Sequence, residues 1–302
     1  MAKLSVDQAL LKAKSHAKKG EIEEAQKLYQ AVLQAFPKNK RAQHGLAALN
    51  KPKRPAATQG PPQETINQLI NLYNQGELKA VVEQAQALTQ QYPKFIEVWN
   101  MLGAAAAQTG ELAQAINAFR KIIAIKPDDI KAYNNMGIAL QRQGKTEAAI
   151  KAYKKALEIK PNYASAHNNM GNALQRQGKM EEAVKAYKKA TLIKLDYAEA
   201  YNNMGNVLSE QGKLEKAIKA YSNALAIKPD YESARAQKLY QQAHICDWES
   251  IAEDIELLPS LGTNKEFVTP FALLSLEDAP ERHRIRSQIY AESKYPQKST
   301  LS

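Results

Sequence analysis

Glycine recurs along the chain at intervals of 34 residues, and this regularity constrains the fold more than any other feature of the sequence. The first series has five members: Gly76, Gly110, Gly144, Gly178 and Gly212. A second series has four members, each seven residues before a glycine of the first series: Gly103, Gly137, Gly171 and Gly205. Proline keeps the same period at Pro93, Pro127, Pro161 and Pro229, with Leu195 in the missing place. A fixed period of about 20 to 50 residues indicates stacked structural repeats rather than one globular core.

The residues around each glycine predict a pair of helices. A residue without a side chain, such as Gly171, lets a second helix approach the first closely. The later glycine, as in Gly144, ends the first helix as a C′ residue does, because glycine adopts a positive φ at little cost. In the second helix an alanine and an aromatic residue four positions further on, such as Ala149 and Tyr153, share one face. One such pair is too small to bury a core alone, so neighbouring pairs must stack.

The repeat resembles the tetratricopeptide repeat. Within 34 residues it contains an aromatic residue, a glycine, an alanine, a second aromatic residue and a proline, in that order. The resemblance implies an all-α fold, a right-handed superhelical solenoid of helical hairpins with a C-terminal capping pair and a short non-repeat tail. The predicted segments are a repeat-like helical unit at 1–50, a proline-rich linker at 51–62, five repeats at 63–231, capping helices at 232–258 and the tail at 259–302.

Cysteine and histidine usage excludes several classes of site. A single cysteine rules out an internal disulfide framework and a zinc site of several thiolates. The five histidines are scattered along the chain and form no metal-binding pattern, so we predict no metal. No stretch reads as a membrane span or a secretion signal. We therefore expect a cytoplasmic protein without membrane association.

The formal net charge is +11, and residues 1–60 carry most of it, with 12 basic and 4 acidic side chains. Nucleic-acid binding usually requires a basic stripe with interleaved stacking groups, which the lysine triplets within 151–155 and 185–189 lack. We expect no nucleic-acid partner. The sequence also contains no phosphate-binding loop and no catalytic triad, and no pair of carboxylates stands out as a candidate acid and base. We therefore predict no catalytic residue and no cofactor in this chain.

Three consecutive first helices carry an Asn-Asn pair before Met-Gly, and the second asparagine of each pair forms a ladder at spacing 34. An amide offers an acceptor and two donors, so it can bind the peptide group of an extended chain without reading its side chains. Alternatively, the amides join adjacent helices or persist because a duplication copied them. The predicted peptide-binding groove contains Asn67, Asn135, Asn169, Asn203, Asn172, Asn206, Arg142 and Arg176.

The segment after the repeats resembles a second family. Its Cys246-Asp247-Trp248 and Pro270-Phe271-Ala272-Leu273-Leu274 stretches are similar to the junction between repeats and catalytic region in the O-linked N-acetylglucosamine transferase family, SPINDLY-like members included. The match covers about residues 240 to 295, and the asparagine ladder agrees with it. The resemblance implies repeats that thread protein substrates toward a two-lobed glycosyltransferase, whose nucleotide-sugar lobes have no counterpart in this sequence.

These features predict a protein-interaction module that binds extended polypeptide on the concave side of its repeats, as the substrate-recruiting arm of such a glycosyltransferase. The alternative is a component of an active enzyme that a downstream or separate catalytic part completes. Chaperone-type tetratricopeptide domains grip a terminal carboxylate with lysine. Asparagine stands at the equivalent position here, one residue before the ladder, which disfavours that kind of site. We predict a protein or peptide partner, without naming it.

Overall fold

The computed structural model of the chain describes residues 5–50, 60–252, 254–263, 268–269, 272–274 and 276–295. Residues 51–59 of the predicted linker, Pro270 and Phe271 of the tail motif, and residues 296–302 lie outside this description. The chain divides into two compact units, Met1–Pro61 and Pro62–Ser302. The described residues form helices, turns and irregular backbone but no strand, which confirms the predicted all-α class.

The first unit holds three helices, α1 (Val6–Lys19), α2 (Ile22–Ala35) and α3 (Lys40–Asn50). Leu10 and Tyr29 are among the buried residues of its small core. Ser5 caps α1, because its hydroxyl accepts from the Gln8 amide while the Gln8 side chain accepts from the Ser5 amide. This unit therefore has its own apolar centre.

The second unit contains five helical hairpins in succession. Their helices are α4 (Gln63–Asn74), α5 (Leu78–Gln91), α6 (Ile96–Thr109), α7 (Leu112–Ile125), α8 (Ile130–Arg142), α9 (Thr146–Ile159), α10 (Ala164–Arg176), α11 (Met180–Ile193), α12 (Ala198–Glu210) and α13 (Leu214–Ile227). Each of these helices packs against its neighbours in the chain, and the first helices α8, α10 and α12 also contact one another in turn. The hairpins thus stack as the repeats of a solenoid do.

The core of the stack combines alanines and aliphatic side chains with one buried aromatic ring from the second helix of each of the last four hairpins. Phe119, Tyr153, Tyr187 and Tyr221 are at most 2% exposed. Each ring lies against the glycine of its partner helix: a Cβ atom on Gly171 would stand 2.6 Å from Cε1 of Tyr187. This distance is far inside van der Waals contact. Only glycine therefore allows the two helices to pack this closely around the ring.

In several repeats, one side chain of the first helix bonds to the turn that precedes that helix. Trp99 and His167 each donate a ring N–H to the carbonyl of the proline six residues earlier, at 2.9 Å, and Arg235 makes the equivalent bond at 2.7 Å. Burial lowers the pKa of His167, so its ring is neutral at pH 7 and donates through Nε2. The aromatic position of the repeat therefore secures the turn between repeats as well as filling space.

Further helices follow the last hairpin: α14 (Glu232–His244), α15 (Trp248–Ala252), a 3-10 helix (Ile255–Ser260) and α16 (Pro280–Lys294). A separate cluster of buried residues, including Leu239 of α14, Leu258 and Leu273, forms between them. The end of the stack is thus covered by a small core of its own, so the last repeat does not expose its apolar face.

A buried arginine anchors α16 to this covering layer. Arg286 is 0% exposed and donates to the carbonyl oxygens of Leu261 at 2.7 Å and Leu258 at 2.8 Å. Its guanidinium also pairs with Glu277. A buried charge persists only when it is paired and hydrogen-bonded, and Arg286 meets both conditions. The position of α16 at the end of the stack is therefore specific.

We expect Gly171→Ala to lower the free energy of unfolding by about 1 to 3 kcal/mol, the usual cost of overpacking a filled core. Helix propensity alone would favour alanine by about 1 kcal/mol, so the sign of the change separates the two effects. Tyr187→Leu provides the matched background, because it removes the ring that the new Cβ meets. Urea unfolding followed by circular dichroism should show a smaller cost there, and equal costs in both backgrounds would contradict the glycine–ring contact.

Candidate functional site

The three predicted Asn-Asn pairs lie on one face of the stack, where α8, α10 and α12 are side by side. The first asparagine of each pair is buried, whereas the second is half-buried. The buried set is Asn134, Asn168 and Asn202, at 4%, 0% and 5% exposure, and the half-buried set is Asn135, Asn169 and Asn203. We call the face formed by α8, α10, α12 and α14 the amide groove.

Amide hydrogen bonds connect neighbouring repeats within this groove. Asn169 Nδ2 donates to Asn134 Oδ1 at 3.1 Å, and one repeat later Asn203 Nδ2 donates to Asn168 Oδ1 at 3.3 Å. Both acceptors are buried, where an unpaired oxygen would cost about 1 to 3 kcal/mol. These two members of the ladder therefore join adjacent first helices, as the alternative hypothesis expected, while each remains partly exposed.

The second row of amides is held by the buried tyrosines. The hydroxyl of Tyr187 donates to Asn172 Oδ1 at 2.6 Å, and that of Tyr221 donates to Asn206 Oδ1 at 2.9 Å. Burial raises the pKa of both tyrosines, so each hydroxyl stays protonated and donates at neutral pH. The oxygens of Asn172 and Asn206 are thus engaged from inside the stack. Their NH₂ groups are the parts best placed to serve a ligand.

The remaining predicted residues lie at the margins of this face. Asn67 is exposed on α4, two repeats before the ladder begins on α8, and it accepts from Gln63 Nε2 at 3.1 Å. Arg142 is exposed, and its guanidinium donates to the carbonyl of Ala107 in the preceding repeat. Arg176 is exposed at the last residue of α10. The structure therefore groups Asn135, Asn169, Asn172, Asn203 and Asn206 and places Asn67 apart from them.

A cavity of about 860 Å³ lies at the C-terminal end of the amide groove. Asn203 and Gln237 contribute to it from α12 and α14, and α16 contributes Tyr290 and Lys294. Gln237 could have been found by sequence reasoning, because it stands at the ladder position one period after Asn203. The contribution of α16 could not, since α16 lies outside the repeats and no period relates it to them.

The same side of the stack continues beyond the amide groove over α4 and α6, where it is apolar. A cavity of about 270 Å³ is lined by Ile70 and Tyr73 of α4 and by Met101 of α6, and Ile138 of α8 is 36% exposed. Ile70 and Ile138 occupy the repeat position that becomes Asn172 in α10. One repeat position thus changes from apolar to amide along the stack, a signal that was present in the sequence.

The side chains of this face offer hydrogen bonds, apolar contacts and a few charges. Across the part of the chain that the structure describes, no group of three or more His, Cys, Asp or Glu residues could hold a metal ion. None of the described helices is both long and apolar enough to cross a bilayer. Amides and apolar side chains of this kind are groups that can contact a polypeptide non-covalently.

Comparison with known protein families agrees with this architecture. A TPR repeat model matches residues 103–144 and 142–178, and two tetratricopeptide repeat models match residues 162–230 and 10–50. These matches together span more than half of the chain, which therefore belongs to the tetratricopeptide repeat family. No protein with a curated description matches the sequence.

Several solved structures resemble the chain at low sequence identity. One from the functional characterisation of Pseudomonas aeruginosa pilF has a TM-score of 0.57 and 14% identity over 76% of this chain and 96% of that one. MamA (41-end) from Desulfovibrio magneticus RS-1 has a TM-score of 0.51 and 16% identity over 57% of this chain and 97% of that one. These two likenesses show the fold. YrrB, described as a TPR protein with an unusual peptide-binding site, has a TM-score of 0.48 and 20% identity over 58% of this chain and 90% of that one.

The glycosyltransferase resemblance of the tail stays a prediction. None of the matches given above concerns a glycosyltransferase, and the family matches end at residue 230. Of the tail motifs, Cys246 and Trp248 are exposed beyond the last repeat, and Ala272 and Leu273 are buried in the covering layer. The structure thus gives part of the motif a packing role.

We expect Asn203→Ala to lower the free energy of unfolding by about 1 to 3 kcal/mol, because it removes hydrogen bonds to Asn168 and Asn172 and leaves the first of these oxygens buried and unpaired. Asn67→Ala is the matched control, since Asn67 is exposed and bonds only within α4 among the described contacts. The Asn67→Ala variant should change the free energy of unfolding by no more than about 0.5 kcal/mol. Thermal and urea unfolding measure both, and equal effects would refute the inter-repeat role of Asn203.

Proposed function

We propose that this protein binds extended polypeptide segments along the amide groove. The observation that carries the proposal is the row of half-buried amides on three adjacent helices, formed by Asn135, Asn169 and Asn203. A stack of helical hairpins creates such an extended surface, because equivalent positions of successive repeats lie next to each other. The side chain that recurs at spacing 34 can therefore meet a partner that is itself extended.

Asparagine suits recognition of a peptide backbone. Its NH₂ group donates and its carbonyl oxygen accepts, so it complements the C=O and N–H of a peptide unit whatever side chains the partner carries. The bonds from Asn169 to Asn134 and from Asn203 to Asn168 restrict the rotation of these side chains. Groups that are already ordered lose less conformational entropy when a partner binds. We therefore propose broad rather than sequence-specific binding by the amides.

Selectivity would come from the apolar end of the same face. The cavity of about 270 Å³ near Ile70 and Met101 has the size and character to accept one apolar side chain. Burial of such a side chain contributes about 1.5 to 3 kcal/mol, more than a typical net hydrogen bond. An apolar residue of the partner would thus fix its register, and the amides would hold the chain beyond it.

Replacement of Asn135, Asn169 and Asn203 by alanine tests this proposal. We expect the affinity for peptides selected from a random display library to fall at least tenfold, since each amide bond contributes about 0.5 to 1.5 kcal/mol. Fluorescence anisotropy measures affinity, and circular dichroism confirms that the variant is folded at the assay temperature.

The matched control is the triple alanine variant of Lys151, Lys154 and Lys185, which are exposed on the second helices α9 and α11. Its affinity should remain close to that of the natural protein. Unchanged affinity of the asparagine variant with an intact helical spectrum rejects a role for the ladder, and a library that yields no binder rejects peptide binding itself.

A narrower role is that of the substrate-recruiting arm of a protein O-glycosyltransferase. The resemblance of the tail supports it, together with Trp248 of the Cys-Asp-Trp stretch, which is 59% exposed. Such a large exposed aromatic side chain suits a contact with another protein surface. In this role the amide groove would hold protein substrates while a catalytic part transfers the sugar.

We expect no sugar transfer when the chain is incubated with labelled UDP-N-acetylglucosamine and a panel of purified acceptor proteins, because a recruiting arm binds substrates without catalysing the reaction. Retention of the same acceptor proteins on the immobilised chain would support the arm. Incorporation of label without an added catalytic component would instead favour an active enzyme, and acceptors that are neither retained nor labelled would count against both roles.

A further inference from the structure

Charge changes sign along both edges of the amide groove. Equivalent positions near the start of α8, α10 and α12 hold a lysine, a serine and a glutamate, and those at the last residue of each helix hold two arginines and a glutamate. The two series are Lys131, Ser165 and Glu199, and Arg142, Arg176 and Glu210. Both edges thus pass from basic to acidic within three repeats. The acidic members line the cavity to which α16 also contributes side chains.

Helix stability does not account for the acidic residue at the end of α12. Carbonyl groups at a helix C-terminus favour a cation, and Arg142 and Arg176 satisfy that preference. Glu210 opposes it. Its partner is a neutral amide, Gln175 Nε2 at 2.7 Å, and Glu199 likewise accepts from Asn168 Nδ2 at 3.4 Å. These bonds leave the negative charge of each carboxylate in place.

A buried acceptor without a partner lies in the wall between the two carboxylates. Asn202 of α12 is 5% exposed and lines the cavity, and its Oδ1 has no hydrogen-bond partner among the described residues. Lys294 is the one cation among the described residues of the same cavity, which holds the two carboxylates as well. The described lining of the cavity therefore carries two carboxylates against one ammonium group, and the Asn202 oxygen adds an acceptor that a cationic N–H could meet.

The two carboxylates also affect the pKa of the tyrosines beneath the groove. Burial is the main cause that raises the pKa of Tyr221, and the nearby Glu210 raises it further. For Tyr187, Glu210 and Glu199 both add to the effect of burial. A cation that enters this end of the groove would therefore meet a favourable potential.

We propose that this acidic end of the groove binds the basic part of a bound polypeptide, whether lysine and arginine side chains or a free terminal ammonium, and thereby sets the direction in which the chain lies. The inference rests on the proposed peptide binding. Glu199 and Glu210 are 11 residues apart, about 16 Å along α12, so each holds a cation at its own edge of the groove. An extended chain sends alternate side chains to opposite sides, which allows it to serve both edges.

The middle repeats would receive the opposite end of such a partner. Lys131, Arg142 and Arg176 are exposed on α8 and α10, and an acidic segment would complement them. A partner that lay in the reverse direction would bring like charges together at both ends. Charge complementarity of this kind contributes to specificity more than to affinity.

The test uses three acetylated, amidated peptides that share one apolar and polar framework and differ at two positions, which hold lysine, glutamine or glutamate. A fourth peptide has glutamine at both positions and a free terminal amine, which separates the two sources of the cation. We expect the natural protein to bind the lysine peptide about threefold to tenfold more tightly than the glutamine peptide, because an exposed ion pair contributes modestly. The preference should shrink as salt is added. The net charge of +11 opposes it, so a preference for lysine reports the local site.

The double variant Glu199→Lys and Glu210→Arg carries the residues of the α8 repeat at both exposed positions, and circular dichroism checks that it is folded. We expect it to prefer the glutamate peptide over the lysine peptide. Glu215→Lys is the control, an exposed charge reversal on α13 outside the groove. The inference is overturned if the natural protein binds the three blocked peptides with equal affinity, or if the control variant changes its peptide preference as much as the double variant does. Peptide binding itself would stand in both cases. If none of the four peptides binds, both proposals fail.

Discussion

Four of the five hairpins in the second unit depend on one contact, in which an aromatic ring of the second helix occupies the space above a glycine of the first. Glycine costs a helix about 1 kcal/mol relative to alanine. Burial of a large ring contributes more than this, so the exchange is favourable in every repeat that makes it. The first hairpin lacks the pair, with Leu69 in place of glycine and Ala85 in place of the ring, and it stands at the end of the array.

The same rings connect the core of the stack to its surface. The hydroxyls of Tyr187 and Tyr221 reach through the hairpin and hold Asn172 and Asn206. In the preceding repeat the amide is replaced by Ile138, and Tyr153 donates to Gln141 Oε1 at 3.1 Å instead. A groove amide and a core ring are therefore one hydrogen-bonded unit. The proposed binding surface gains its order from the packing that stabilises the fold.

The proposed binding function rests on positions at which the repeats differ. The shared positions form the scaffold, and the groove positions change from apolar near Ile70 to amide near Asn203 and to acidic near Glu210. Asn169 and Asn203 of the ladder belong to the scaffold and to the proposed binding surface, because they link neighbouring helices and remain half-buried at the surface. A duplicated repeat can acquire specificity in this way without loss of its packing.

The strict period of 34 residues was enough to predict the helical hairpins, the glycine and aromatic positions of the core and the asparagine ladder, because a period assigns every residue an equivalent in the next repeat. It assigned the second asparagine of each pair to the groove but left open whether these amides face a ligand or join adjacent helices. The pairing of Asn169 with Asn134, 35 residues earlier, and the place of α16 beside one end of the groove became visible in the folded chain alone. These features depend on contacts between distant segments, and Arg286 anchors α16 through carbonyl groups that no local pattern could single out.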